Sequence, residues 1–405
     1  MAKRNINFKI VLLIFLAFLS SCEKERLFPE GTINSFGNIN RNNYYSSIST
    51  FLSGGISVEQ IYNYSNDTTD GFLGNPLPIS SSKTILSTKS GKIIQTTFAT
   101  VDWEYTITKS GFVIAPMGVD KIGNIYAITS NNSLVSLQKD GTYRFEHPLI
   151  TPKRFESFHP VTCTDIGVLI QSSHGYTCFI QFDGKMLWEN NQSSVRTPYP
   201  PSIENGNFAT YTEPFSDSIS PFIGIHSLQT GTSSKVIPVN KSFEIVTSPL
   251  LNGNSLTVLG KEKEKTICKR ITFTNETIWK NEELPMFPKG ISISDSGNII
   301  ISAYEPGVAE YRSCILSLTS NGKIQWKKYF DHRIISPVIL SLNDMVFLGT
   351  SQYSNGLYFL TNTGYFKGSI IIPQEIIAHL KIGITPAGAI TLGTQKTLQL
   401  LRSRQ

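Results

Sequence analysis

The chain contains 405 residues, of which 40% are hydrophobic and 16% are charged, and its formal net charge is +6. Three of the cations lie within the first nine residues, so residues 22–405 carry only +3. A chain this close to neutrality gives no reason to expect a nucleic acid or an acidic membrane surface as a partner. Its length is sufficient for a large core without disulfide bonds.

The first residues have the composition of an export signal. Lys3, Arg4 and Lys9 precede the apolar run VLLIFLAFL at residues 11–19, which is too short to span a bilayer as a permanent helix. The run ends in the tetrapeptide LSSC, which closes at Cys22. This pattern therefore predicts a signal peptide over residues 1–21.

The tetrapeptide resembles the lipobox of bacterial lipoproteins, and the charged residues EKE that follow it are similar to those of Bacteroidetes lipoproteins. The resemblance implies acylation of Cys22 and an outer-membrane location, on the periplasmic face or at the cell surface. Several acyl chains, each CH₂ contributing about 0.8 kcal/mol, would anchor the chain firmly. An ordinary signal peptide with an incidental cysteine is the alternative. Residues 22–36 have the composition of a tether.

From residue 37 onward the sequence repeats a unit of short strands. Runs such as GNIYAIT (residues 123–129) and GVLIQSS (residues 167–173) are each followed by a second short strand, a polar glycine-containing turn and an aromatic residue. A short strand, usually led by proline, precedes each run. The leading positions are 38 to 49 residues apart: Pro78, Pro116, Pro160, Pro201, Pro249, Ile291, Pro337 and Pro386. About four strands per unit at this period indicate an all-β fold, the β-propeller.

The last unit supplies three strands before the chain ends, and VEQIYNYS (residues 58–65) has no partner within its own unit. We expect this N-terminal strand to complete the C-terminal blade and close the ring. The prediction is therefore an eight-bladed propeller of four-stranded antiparallel blades over residues 37–405.

The repeated motif resembles that of propellers of the pyrroloquinoline-quinone type. The likeness rests on the glycine-led second strand, on the Asp-Gly or Asn-Gly turn and on the tryptophan that follows it, as in FDGKMLW and SNGKIQW. In that family the tryptophan packs into the neighbouring blade. The resemblance therefore implies a structural role for Trp103, Trp188, Trp279 and Trp326.

The sequence contains no constellation that would indicate an enzyme or a cofactor. Enzymatic members of the resembled family use adjacent cysteines, a calcium site and a catalytic aspartate, and this chain has no adjacent cysteine pair and no calcium-loop spacing. The six histidines have no zinc-ligand spacing. Cys163, Cys178, Cys268 and Cys314 are expected to be buried free thiols. No metal or cofactor is predicted.

Loops on one face of the ring carry most of the candidate binding residues. Aromatic and arginine side chains are enriched where proteins bind partners, although the same residues could instead cover blade edges. The candidates are Arg154, Phe155, Arg196, Tyr199, Phe215, Tyr304, Tyr311 and Tyr353.

Three functions are compatible with this sequence. The first is a non-catalytic, lipid-anchored scaffold that binds an envelope protein, which resembles the propeller lipoprotein of the outer-membrane barrel-assembly machinery. The second is a surface module that binds a glycan or a peptide. A quinoprotein-type enzyme is the third, and the missing site residues argue against it. Fold alone does not decide among them.

Overall fold

In the computed structural model the chain is an all-β ring of sheets. The structure describes residues 44–45, 56–63, 72–80, 82–97, 100–108, 111–150, 157–216, 218–285, 287–294, 296–305, 312–334, 338–350, 355–372, 381–384, 390–393 and 397–403. Cys22, the predicted signal peptide and the predicted tether lie outside these ranges. Within the described ranges, no helix is long and apolar enough to cross a membrane.

Two short strands precede the first blade, and three blades of four strands each follow. The leading strands are β1 (Tyr44–Tyr45) and β2 (Ile56–Asn63). Blade 1 contains β3 (Phe72–Pro78), β4 (Lys83–Thr88), β5 (Lys92–Thr97) and β6 (Thr100–Thr106). Blade 2 contains β7 (Gly118–Val119), β8 (Ile125–Thr129), β9 (Ser133–Leu137) and β10 (Tyr143–Pro148). Blade 3 contains β11 (Thr162–Cys163), β12 (Gly167–Gln171), β13 (Tyr176–Gln181) and β14 (Met186–Asn191).

The next two blades each contain five strands. Blade 4 contains β15 (Val195–Arg196), β16 (Ser202–Glu204), β17 (Asn207–Pro214), β18 (Phe222–Ser227) and β19 (Ser233–Pro238). Blade 5 contains β20 (Phe243–Ile245), β21 (Leu250–Asn252), β22 (Ser255–Glu262), β23 (Lys265–Thr272) and β24 (Thr277–Leu284).

Two further blades and a composite sheet complete the ring. Blade 6 contains β25 (Phe287–Ile293), β26 (Ile299–Glu305), β27 (Arg312–Leu318) and β28 (Ile324–Phe330). Blade 7 contains β29 (Arg333–Ile334), β30 (Ile339–Ser341), β31 (Asp344–Thr350), β32 (Asn355–Thr361) and β33 (Phe366–Ile372). The composite sheet joins β34 (Lys381–Ile384), β35 (Ile390–Gly393) and β36 (Thr397–Ser403) to β2.

The expectation of an eight-bladed propeller is wrong, because the structure has seven blades. Seven blades are built from consecutive strands, and the remaining sheet is a composite in which β2 pairs with β36 from Ile56–Ser403 to Asn63–Thr397. Blades 4 and 5 have five strands each, and the blade 7 sheet has six, because β1 adds to β30 in parallel. The blades are therefore neither equal in strand number nor all antiparallel.

A break in the first strand explains the extra strands. In blade 5, β20 and β21 both pair with β22, and Pro249 lies between these two pieces. In blade 4, β15 and β16 both pair with β17, and Pro200 and Pro201 lie in the gap. Proline has no backbone N–H and cannot donate to the ladder. The leading prolines therefore mark the point where each of these first strands leaves and rejoins its neighbour.

The core lies between blades, on the second and third strands. Ile125 and Ala127 of β8 are fully buried in a cluster that also contains Ile93 of blade 1, Val346 of blade 7 and Ile390 of the composite sheet. These strands read as continuous apolar runs because both faces are covered by neighbouring blades. The four described cysteines are buried thiols that form no disulfide bond, as predicted, and three of them lie on third strands.

An aromatic clasp joins blades at five seams, and we use this term for a fourth-strand ring packed on the glycine turn of the next blade. The pairs are Trp103–Gly141, Phe145–Gly184, Trp188–Gly231, Trp279–Gly322 and Trp326–Gly364. A Cβ at any of these glycines would lie 2.4 to 2.9 Å from a ring carbon. Each indole N–H also donates to a carbonyl of that turn at 2.8 to 3.1 Å. The predicted role of the tryptophans is confirmed.

Candidate interaction face

The C-terminal ends of the second strands lie at one end of the ring, which we call the loop face. There β17 ends at Pro214, β22 at Glu262 and β26 at Glu305. The first pieces of the broken first strands pair with these ends, so the links that enter each blade lie on the same face. The turns between first and second strands lie at the opposite end.

Arg196 and Phe215 form an exposed edge on blade 4. The guanidinium Nη2 of Arg196 lies 3.0 Å from Oε2 of Glu213, while 58% of the arginine side chain stays exposed. Phe215 is 50% exposed, and its backbone N–H donates to the Ser194 carbonyl at 2.9 Å. An exposed ion pair of this kind contributes little to stability. More than half of the Arg196 side chain and half of Phe215 are thus exposed to solvent at this edge.

Tyr199 has a structural contact instead. Its hydroxyl donates to the Ile245 carbonyl at 3.0 Å, which connects blade 4 to blade 5. Its ring stacks on Tyr211 with centroids 6.2 Å apart. Burial, followed by the nearby carboxylate of Glu213, raises the pKa of Tyr199 to about 12. This residue covers a seam between blades, which is one of the two roles the sequence left open.

Tyr304 belongs to a stack of two rings and two ammonium groups, which we call the Lys–aromatic stack. The Phe287 and Tyr304 centroids are 4.9 Å apart and the rings are nearly parallel, at 14°. Nζ of Lys261 lies 4.2 Å from the Phe287 centroid, and Nζ of Lys289 lies 5.0 Å from the Tyr304 centroid. Each cation is attracted by the ring quadrupole. The stack bridges blades 5 and 6.

The remaining candidates, Arg154, Phe155, Tyr311 and Tyr353, lie outside the described residues. Of the described candidates, Arg196 and Phe215 lie at one edge of blade 4, Tyr304 lies in the Lys–aromatic stack at the seam between blades 5 and 6, and Tyr199 belongs to neither group. Sequence reasoning missed Lys261, Phe287 and Lys289. Phe287 precedes the leading position of its unit, so attention to the residues before each leading position would have found it.

The described residues offer little reactive chemistry. Among them, no three His, Cys, Asp or Glu side chains are grouped as a metal site. Burial raises the pKa of the Cys178 thiol to about 12 and also raises that of Cys268. A thiol with a raised pKa is protonated at neutral pH and is a poor nucleophile. The described part of the loop face carries arginine, lysine and aromatic side chains, among them Arg196, Lys261 and Tyr304.

Comparison with known proteins supports the fold. No protein-family model matches the sequence. No curated protein matches it either. The structure is similar to that of BamB from Moraxella catarrhalis, with a TM-score of 0.56 and 11% identity, over 86% of this chain and 98% of that one.

Two other solved propellers are similar at the same level. One is the quinohemoprotein alcohol dehydrogenase from Comamonas testosteroni, with a TM-score of 0.64 and 9% identity, over 96% of this chain and 83% of that one. The other is the C-terminal WD40 domain of Sif2, with a TM-score of 0.64 and 10% identity, over 88% and 100%. Identities this low show the fold alone, a β-propeller.

Proposed function

We propose that the protein is a non-catalytic β-propeller scaffold, anchored by lipid at Cys22 to the outer membrane, whose loop face binds an envelope protein. The domain organisation belongs to this proposal: a signal peptide over residues 1–21, a tether over residues 22–36 and the propeller over residues 37–405. The similarity to BamB and to a WD40 domain supports a scaffold role, and the sequence pattern ending at Cys22 supports the anchor.

The observation that carries the proposal is the exposed Arg196–Phe215 edge. An arginine and an aromatic ring side by side are the residue types enriched in the energetic centres of protein interfaces. Both side chains lie outside the β17–β18 ladder, which pairs residues 207–212 with residues 222–227.

Glycan binding has less support among the described residues. Sugars stack on exposed ring faces, and Phe287 and Tyr304 have their faces against each other or against Lys261 and Lys289. Tyr199 is stacked on Tyr211. Phe215 is the exposed described aromatic among the candidates, and a single ring favours a protein contact over a sugar platform.

Crosslinking in intact cells followed by affinity purification and mass spectrometry tests the proposal. The full-length protein should recover a membrane protein in near-stoichiometric amount, and Phe215→Glu should reduce that recovery at least about tenfold, since a hot-spot residue contributes about 2 kcal/mol. Ile166→Glu is the matched control, because Ile166 is 44% exposed at the opposite end. Equal recovery from both variants would contradict a role for the loop face.

A further inference from the structure

The seam between blades 3 and 4 is apolar in one half and polar in the other. Toward the turn end, Leu169, Phe179 and Phe208 pack in one buried cluster with Trp188 beside it. Toward the loop face, the same strands present amides and hydroxyls, because alternate residues of a strand point to the same side. Gln171 continues the row that starts at Leu169.

Gln171 is a buried amide that has no partner within the described protein. Gln171 is only 2% exposed, and neither its Nε2 nor its Oε1 makes a hydrogen bond to another described protein group. An amide removed from water without compensation destabilises a protein by roughly 1 to 3 kcal/mol. In Gln171 this penalty applies to both the amide nitrogen and the amide oxygen.

A small cavity lies next to this amide. Its volume is about 20 Å³, which is enough for a water molecule. Thr177, Asn190, Thr210, Thr212 and His226 are among the groups that line it.

Among the described residues that line the cavity there is no lysine, arginine or carboxylate, which disfavours an ionic ligand. His226 is uncharged at neutral pH, because burial lowers its pKa to about 4. Its ring stacks on Phe208 with centroids 4.8 Å apart, and its Nε2 is 3.3 Å from the Thr210 hydroxyl. The lining therefore offers neutral donors and acceptors only.

We propose that this cavity is an internal hydration site in which an ordered water molecule bonds both ends of the Gln171 amide and a neighbouring threonine hydroxyl. Water is the ligand that fits the volume, and a buried water makes about three such bonds. The site lies behind Arg196 and Glu213, since Thr197 and Thr212 line it. It is independent of the proposed function.

Two measurements on the intact propeller test the site. In a crystal structure at about 1.8 Å or better, a water should refine within hydrogen-bonding distance of Nε2 and Oε1 of Gln171. In thermal unfolding, Gln171→Met should lower the Tm by about 1 to 2 °C, because the water loses two of its partners. A dry, unpaired amide predicts the opposite sign, since methionine would remove an unsatisfied group.

Gln95→Met sets the scale for the loss of an amide that is bonded at its nitrogen only. Gln95 is 3% exposed, and its Nε2 donates to Oδ2 of Asp102 at 2.8 Å, while its Oε1 has no partner among the described residues. Its variant should lower the Tm at least as much as Gln171→Met. The hydration site is overturned by an unchanged or higher Tm for Gln171→Met. It is also overturned by the lack of a water peak in the crystal or by density for a larger molecule in the cavity.

Discussion

Individual clasp side chains join the blades of the propeller by combining aromatic packing with one directed hydrogen bond. Where the clasp residue is phenylalanine, the indole N–H is missing. At that seam the guanidinium Nη2 of Arg144 donates to the Phe182 carbonyl, two residues before the receiving Gly184. In three of the other four turns the indole N–H bonds the carbonyl two residues before the glycine, as Trp279 does with Ser320, and Trp188 bonds Leu228, three residues before Gly231. The adjacent arginine thus replaces the lost donor.

Gly322→Ala should destabilise the protein by about 2 to 4 kcal/mol. The residue has a φ of +82°, and a Cβ would lie 2.4 Å from the Trp279 ring, so left-handed strain adds to overpacking. Gly253→Ala is the control, with a φ of +58° and nothing within 4 Å, and it should cost about 1 kcal/mol. Denaturant unfolding midpoints compare the two, and equal losses would show that the Trp279 contact is unimportant.

His226 should make stability depend on pH. Its folded pKa of about 4 is below the ordinary value of 6.5, so the unfolded state binds more protons between these values. Stability therefore falls as the pH drops from about 6.5 to 4, by about 1 to 3 kcal/mol. Unfolding at pH 7 and pH 4.5 should show a smaller pH effect in His226→Gln than in the native chain. Identical slopes would exclude His226 as the source.

At the level of the strand, β-bulges and prolines adapt a regular repeat to a closed ring. In each of the seven blades the register between third and fourth strands shifts just after the third-strand partner of the clasp position, as between Phe179 and Ile180 opposite Trp188. A bulge increases local twist and redirects a side chain. It turns the clasp residue toward the next blade.

Removing β2 should open the ring at β36. The matched pair of variants starts at residue 64, without β2, or at residue 46, without β1 alone. The first exposes an unpaired edge strand, and edges of this kind associate with other chains. We expect a lower Tm and self-association in size-exclusion chromatography for the first variant only. Monomeric behaviour of both would mean that β2 is dispensable for closure.

The repeat was readable from sequence because its signals are local. The alternating strands, the glycine turn and the tryptophan that follows it, such as Trp188 or Trp326, all fall within one repeat unit. Each of these signals reflects the local backbone of that unit. The broken first strands could not be predicted from the sequence. A proline at the head of a strand and a proline between two pieces of one strand, such as Pro249, give the same sequence pattern. The Lys–aromatic stack was missed since Lys261 and Phe287 belong to different blades.

Over the whole molecule, not every seam between blades has an aromatic clasp. Lys235 of blade 4 pairs with Ile225 at the position that Trp188 occupies opposite Phe179, and Gly368 of blade 7 occupies the same position opposite Phe359. Neither has an aromatic ring to dock. At the seam between blades 4 and 5 the joining contacts lie on the inner strands instead, as in the Ser202 hydroxyl bond to the Pro249 carbonyl at 2.6 Å.

Installing a clasp at the seam between blades 4 and 5 should stabilise the ring. Asn275, with a φ of +68°, stands where the other receiving turns have glycine. The double variant Lys235→Trp, Asn275→Gly should gain about 1 kcal/mol from ring packing. Lys235→Trp alone should gain nothing, because the Asn275 Cβ occupies the docking space. Thermal unfolding of both variants decides this, and an equal gain in the single variant would contradict the geometric requirement for glycine.

The parallel pairing of β1 with β30 also has a mechanical consequence. A pull on the chain ahead of Tyr44, such as the anchor proposed at Cys22 would transmit, meets first the two-residue ladder of β1 with Leu340 and Ser341. If that ladder parts, the force reaches β2 only through the ten residues that separate the two strands, whose fully extended length is at most about 36 Å. The two-residue ladder of β1 is then the first pairing to break. The seven-pair ladder between β2 and β36 carries the force only after the residues between β1 and β2 are fully extended.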